Sequence, residues 1–162
     1  MQKVFIINGP NLGILGKRQN NIYGNKTLND IEDNLKIIAT KNDIEIIHLQ
    51  KNSEGEIVSI LNEIYISYCD NSKSENLKRN LIGIIINPAA YTHTSIAIRD
   101  ALEVFNETKV PIIEVHLSNI FSRETFRHKS YISPIATGVI SGLGSYGYEA
   151  AIFKIIEMGK NA

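Results

Sequence analysis

The chain has 162 residues, with 17 Lys and Arg against 17 Asp and Glu and therefore no formal net charge. That length suits one ordinary domain around a single core, residues 1–162, and the scattered charges exclude the broad basic stripe with which proteins hold nucleic acid. The lone cysteine, Cys69, cannot close an internal disulfide, no apolar run approaches the ~20 residues of a membrane helix, and a strand-like run begins directly after Met1, so a soluble cytoplasmic protein without a signal peptide is expected.

The first element in chain order is Val4 to Ile7, a short β-branched run whose texture returns at Ile44 to Leu49, Leu81 to Ile86, Ile112 to Val115 and Val139 to Ile140. Runs with so little polar alternation read as strands buried on both faces, as in a parallel sheet. Asn8-Gly9-Pro10-Asn11 follows the first strand, where an Asn reads as a turn former or as a ligand contact. It opens the stretch GPNLGILGKRQNNIYG, Gly9 to Gly24, which exceeds the ~2–6 residues of a routine strand-to-helix connection. Long loops of this kind commonly carry function, and the glycines at 9, 13, 16 and 24 suggest that it moves. Within it stand Arg18 and Tyr23. A phenol, with an ordinary pKa of ~10, is a poor base at neutral pH, but a guanidinium beside it favours the phenolate, so Arg18 could make Tyr23 a base. An aromatic packed under a surface loop, next to a solvated arginine, fits the same residues.

Leu28, Ile31, Leu35 and Ile38 then recur at helical spacing, as do Ile57, Ile60, Leu61 and Ile64 after the second strand. Ser53 with Glu56 fits the S-x-x-E capping box, and Thr27 with Asp30 is a weaker version. The polar run Asp70 to Arg79 (DNSKSENLKR) reads as a surface loop or an extension of the second helix. After the third strand comes Asn87-Pro88-Ala89-Ala90-Tyr91-Thr92-His93, then a helix carrying Ile96, Ala101, Leu102 and Phe105 on its apolar face. Free N–H groups at that helix start favour an anionic or hydroxylated ligand, although Thr94 or Ser95 reads equally well as its cap.

The fourth strand leads into His116-Leu117-Ser118-Asn119. Histidine is the side chain whose proton moves most readily near neutral pH, so a structural and a catalytic His116 stand level on the residue alone. Arg123 and Arg127, four apart in SRETFRHKSY, would share a face on a helical turn and suit a carboxylate, or would simply be solvated. Gly142 to Gly147 matches G-x-G-x-x-G, but the chain ends before the next strand and its ribose-binding acid, so tight turning and close packing account for the glycines. Gly13 to Arg18 brushes against a phosphate-binding loop and fails it, having Asn11 at the first glycine position and Arg18 where Ser or Thr is required. One cysteine and four dispersed histidines form no metal-ligand cluster, so neither metal nor cofactor is expected. A last helix runs from about Tyr148 to Met158.

Strands alternating with helices through right-handed crossovers give an α/β flavodoxin-like fold, a five-stranded parallel sheet of order 2-1-3-4-5 with helices on both faces. Ligands of such sheets sit beyond the carboxyl ends of the strands. In that order the first, third and fourth strands are neighbours, so Asn11, Asn87, His93, His116 and Ser118 converge on one cleft.

These residues resemble the type II 3-dehydroquinases of the shikimate pathway over essentially the whole chain. The resemblance rests on INGPNLGILGKR with Tyr23-Gly24, on INPAAYTHTSIAIRDAL, on IEVHLSNIFSRETFR and on SYISPIATGVISGLGSYGY. It implies dehydration of 3-dehydroquinate to 3-dehydroshikimate by anti elimination through an enolate. Tyr23 would take the proton beside the ketone with Arg18 holding it as phenolate, His116 would protonate the departing hydroxyl, and Asn11 would stabilise the enolate through a water. Substrate contacts would fall on Asn87, His93, the Leu117 backbone, Ser118 and Arg127, with Arg123 in the mobile lid region. Asp100 would reach the site of a neighbouring subunit, and trimers would assemble into a homododecamer. Ala89 stands where the family usually has Gly. The rival readings are a flavodoxin-like module that binds a nucleotide or flavin, a dehydratase working through a lysine imine, and an inactive structural subunit.

Overall fold

The structure is a computed structural model that describes residues 1–69 and 80–160, so the run Asp70 to Arg79 lies outside the described residues. Five parallel strands, β1 (Gln2–Asn8), β2 (Ile44–Gln50), β3 (Leu81–Asn87), β4 (Ile112–His116) and β5 (Gly138–Ser141), form one sheet in the order β2-β1-β3-β4-β5. The expected fold is the observed one. Around the sheet lie α1 (Asn20–Tyr23), α2 (Leu28–Lys41), α3 (Glu54–Tyr68), α4 (Ile96–Glu103) and α5 (Tyr146–Lys160).

Alternation along the strands divides the core in two. Val4, Ile6, Ile85, Ile113 and Val115 face α2 and α5, where Leu35, Ile152 and Ile155 pack against them. Phe5, Ile7, Ile84, Ile86 and Ile112 face α3 and α4, meeting Ile57, Leu61, Ile98 and Leu102. Burial on both faces holds for β1, β3 and β4 but only partly for the sheet edges: β2 fully buries Ile44 alone, and β5 fully buries none of its residues. An edge strand has a ladder on one side only, and the helices are centred on the middle of the sheet.

Helix starts depart from the sequence reading in two places. Thr27 and Asp30 form the complete box, with Thr27 Oγ1 accepting from the Asp30 N–H and the Asp30 carboxylate accepting from the Thr27 N–H at 2.7 Å. Ser53 accepts a long bond from the Glu56 N–H, 3.5 Å, and the Glu56 carboxylate, which the other half of the box would need, lies instead 3.1 Å from Lys51. Ser95, rather than Thr94, caps α4 by accepting from the Ile98 N–H. The apolar face of α4 is Ile98, Ala101 and Leu102, while Ile96 is 57% exposed and points away from the core.

The polar residues expected just beyond the strands are the last rungs of the ladder. Asn8 stands beside Asn87 and Gln50, and His116 stands beside Ser141. Their backbone positions are therefore fixed by the sheet. The sheet is in turn fixed against α5 at Gly83, where a Cβ would lie 2.7–2.9 Å from three side-chain carbons of Ile155. Gly83→Ala is expected to destabilise the fold by about 1–3 kcal/mol through overpacking, read as a lowered midpoint in urea, whereas an unchanged midpoint would mean that α5 yields freely.

Candidate active site

A cavity of about 120 Å³ opens at the carboxyl ends of β1, β3 and β4. The long loop after β1 contributes Asn11, Arg18 and Tyr23 to it; the end of β3 and the turn beyond it contribute Asn87 and His93. The end of β4 contributes His116, Leu117 and Ser118, and the following segment adds Arg123 and Arg127. Of the residues singled out from the sequence, only Asp100 is elsewhere: it is exposed on α4, its carboxylate 3.2 Å from Arg99. Three guanidiniums and two imidazoles line the cavity, and none of the described residues lining it is a carboxylate or a lysine. The site suits a small anion.

Beneath His116 lies a residue the sequence reading passed over. Glu114 is fully buried, with Oε1 2.7 Å from His116 Nε2. Its carboxylate also accepts the hydroxyl hydrogens of Thr92 and Ser133 and, at 3.1 Å, that of Ser130. Burial pushes this carboxyl up, but the His116 imidazole and the Ser133 and Thr92 hydroxyls outweigh it and hold the group below the ordinary carboxylate range. An ionised Glu114 thus fixes a proton on His116 Nε2. Nδ1, without a hydrogen-bond partner among the described residues, is left as the ring nitrogen open to exchange with a ligand.

His93 stacks on His116 at 6.5 Å between centroids, 18° from parallel, and its Nδ1 donates to the Lys129 carbonyl at 2.7 Å. Burial pushes the His93 imidazole down; the Lys129 carbonyl opposes this, while the charges of His116 and Arg127 add to it. His93 is therefore a neutral ring with Nε2 as its free acceptor.

Tyr23, the last residue of α1, stands between two arginines. The Arg18 guanidinium carbon lies over its ring, 4.8 Å from the centroid, whereas Arg123 Nη1 donates to the phenolic oxygen at 3.0 Å and to Ser118 Oγ at 3.3 Å. The partner expected at the phenol was Arg18; the one observed at its oxygen is Arg123, and Arg18 acts on the ring face. The expected shared helical face of Arg123 and Arg127 is not formed. The chain makes two single 3-10 turns, Ile120–Ser122 and Thr125–Arg127, with Arg123 extended between them. Glu124 bridges the two guanidiniums, 3.7 Å from Arg123 Nε and 2.9 Å from Arg127 Nε. Asn11 has φ 69°, a left-handed conformation that Asn tolerates, and its N–H donates to Asn52 Oδ1 at 3.1 Å.

On the far side of Tyr23 and Arg123 a wider cleft of about 710 Å³ runs between Gly24 to Lys26 and Gly142 to Tyr146. The glycines read from the sequence as turning and packing residues act as such in the fold. Gly142 has φ 88° and lies against Asn119, and a Cβ on Gly147 would come within 3.2 Å of Val115.

With this geometry in hand, comparison with known proteins is specific. The family model described as dehydroquinase class II matches residues 2–156. A 3-dehydroquinate dehydratase of Actinobacillus pleuropneumoniae serotype 5b is 47% identical over 161 residues, covering 99% of this chain and 94% of the relative. One from Francisella philomiragia is 50% identical over 153 residues, covering 94% of this chain and 93% of the relative. Among solved structures, the type II dehydroquinase of Butyrivibrio crossotus superposes with a TM-score of 0.82 at 40% identity, covering 95% of this chain and 97% of that one.

Ala89, noted from the sequence as standing in a glycine position, has φ 52°, and its N–H donates to Asn87 Oδ1 at 3.1 Å. A side chain in the left-handed region costs roughly 1–2 kcal/mol, which glycine avoids at the expense of greater freedom in the unfolded chain. Ala89→Gly is expected to gain about 0.5–1 kcal/mol in denaturant unfolding. A loss of stability would mean that the methyl group packs more favourably than its backbone conformation costs.

Proposed function

The chain belongs to the class II dehydroquinase family, and on that premise we propose that it removes water from 3-dehydroquinate to give 3-dehydroshikimate by anti elimination through an enolate, as a step of the shikimate pathway. It is a hydro-lyase by membership. The observation that carries the reading is the pairing, in one cavity, of a phenol flanked by Arg18 and Arg123 with an imidazole seated on buried Glu114.

In this mechanism Tyr23, as phenolate, removes the proton beside the ketone. The two guanidiniums stabilise the negative charge while it resides on the phenolic oxygen. The electron pair of the broken C–H bond becomes an enolate, which Asn11 stabilises through a bound water. Collapse of the enolate expels the hydroxyl, and His116 supplies the proton that makes it water. Protons are then redistributed: Tyr23 loses the one it took, His116 regains the one it gave, and no electrons are gained or lost. Glu114, 2.7 Å from Nε2, keeps the imidazole oriented until that proton is delivered. Asn87, His93, the Leu117 backbone, Ser118 and Arg127 hold the substrate hydroxyls and carboxylate, the last through a charge-assisted pair.

Closure of the loop bearing Arg18 and Tyr23 excludes water and completes the constellation. The working unit is a single catalytic domain in a homododecamer of trimers in the cytoplasm, and Asp100, exposed beside Arg99, serves the site of a neighbouring subunit. No metal or organic cofactor takes part in this scheme. An imine route has no support in the cavity lining, which among the described residues lacks lysine.

Purified protein mixed with 3-dehydroquinate is expected to generate the conjugated enone of the product, followed by ultraviolet absorbance, with no requirement for added metal. Tyr23→Phe is expected to lower kcat by roughly 10²–10⁴-fold, the range of a lost general base. No turnover by the folded wild type would refute the reaction, and an active Tyr23→Phe would refute the base.

A further inference from the structure

Asn87 is bound into a buried polar chain that leads away from the cavity to the opposite edge of the sheet. Its Oδ1 accepts from the Ala89 N–H at 3.1 Å, and its Nδ2 donates to the Tyr148 hydroxyl at 2.9 Å. Tyr148, on α5 and fully buried, donates in turn to Asn8 Oδ1. Asn8 Nδ2 meets His48 Nε2 at 3.0 Å, and His48 Nδ1 lies 3.4 Å from a Glu32 carboxylate oxygen on α2.

Hydrogen counting fixes the direction of every link. The Ala89 N–H is a donor, so the Asn87 atom facing it is the oxygen and the atom facing Tyr148 is the nitrogen. The Tyr148 oxygen therefore accepts from Asn87 and must send its own hydrogen to Asn8 Oδ1. Asn8 then presents its nitrogen to His48, whose Nε2 accepts, and the ring proton sits on Nδ1 facing Glu32. Turning the Asn87 amide over would set its NH₂ against the Ala89 N–H and leave the oxygen without the Tyr148 hydrogen, already committed to Asn8. In a dry interior each such unmet group costs as much as a lost hydrogen bond or more.

We propose that Tyr148, which touches no ligand, is a positioning residue. Through the chain Glu32–His48–Asn8–Tyr148–Asn87 it locks the Asn87 amide so that one Nδ2 hydrogen is reserved for an acceptor oxygen of the substrate in the cavity. The neutrality the chain needs is secured by burial. It pushes the Tyr148 phenol well above its ordinary value with the Asn87 amide opposing, and it lowers His48 with Glu32 opposing.

The inference rests on the dehydratase reading for the identity of the ligand alone. Tyr148→Phe removes one oxygen and leaves the ring in the core. It is expected to raise KM for 3-dehydroquinate roughly tenfold with kcat little changed. In an Asn87→Ala background the same substitution is expected to add nothing, because Tyr148 acts through Asn87. An unchanged KM, or a rise of equal size in both backgrounds, overturns the proposal in favour of a purely structural tyrosine. Should Tyr148→Phe not fold, His48→Leu at the far end of the chain goes through the same cycle, with a smaller rise expected that also vanishes without Asn87; no rise, or a persistent one, overturns the proposal. The exchange of the Asn87 side-chain amide hydrogens, followed by heteronuclear NMR, reads the lock whatever the substrate. Slow exchange in the wild type and fast exchange in Tyr148→Phe support it, and equal exchange overturns it. A wild type that fails to turn over 3-dehydroquinate would refute the dehydratase reading and leave this last comparison decisive for the lock.

Discussion

A carboxylate with no exposure to water sits at the centre of this structure. Glu114 is carried by β4, yet most of its donors come from two other places, Thr92 in the turn after β3 and Ser130 and Ser133 in the segment before β5, and they join His116 two residues along its own strand. A buried charge is tolerable only when its lone pairs are fully engaged, and a missing donor leaves it uncompensated. The need to satisfy Glu114 therefore draws the Thr92 turn and the Ser130–Ser133 segment together over β4. His93 follows Thr92 directly, so the same requirement helps bring it over His116.

The site divides into a floor and a roof of different stiffness. Asn87 and His116 occupy final ladder rungs, and Asn8, a rung away from the cavity, supports Asn87 through Tyr148. These side chains inherit the rigidity of the sheet. Tyr23, Arg18 and Arg123 belong to single turns and loops, where the chain can move as substrate enters and leaves. In the proposed mechanism, proton donation falls to the fixed part and proton abstraction to the mobile part. Positive charge from three arginines spans both and matches an anionic substrate.

The sheet order and the convergence of Asn11, Asn87, His93 and His116 were legible in the sequence because β-branched runs mark the strands, and a parallel sheet puts its loops at one end. Glu114 was legible in principle. A lone carboxylate inside the apolar run IIEVH, two residues before His116, must point to the same side of the strand as the histidine. The arginine geometry was misread because i,i+4 spacing implies a shared face only on a continuous helix, and in this fold two 3-10 turns intervene. Ile96 was misplaced for a related reason: the first turn of a short helix lies at the rim of the core. The links that Asn8 and Asn87 make in the Tyr148 chain join residues 40 to 140 positions apart and carry no local signal.

If an ionised Glu114 is what makes His116 an acid, the charge alone should matter, and Glu114→Gln preserves nearly everything else. Steady-state kinetics of the folded variant with 3-dehydroquinate are the most direct measurement. A fall in kcat of roughly 10²-fold with KM little changed is expected. A variant that keeps the wild-type kcat would contradict the central role of the Glu114–His116 pair.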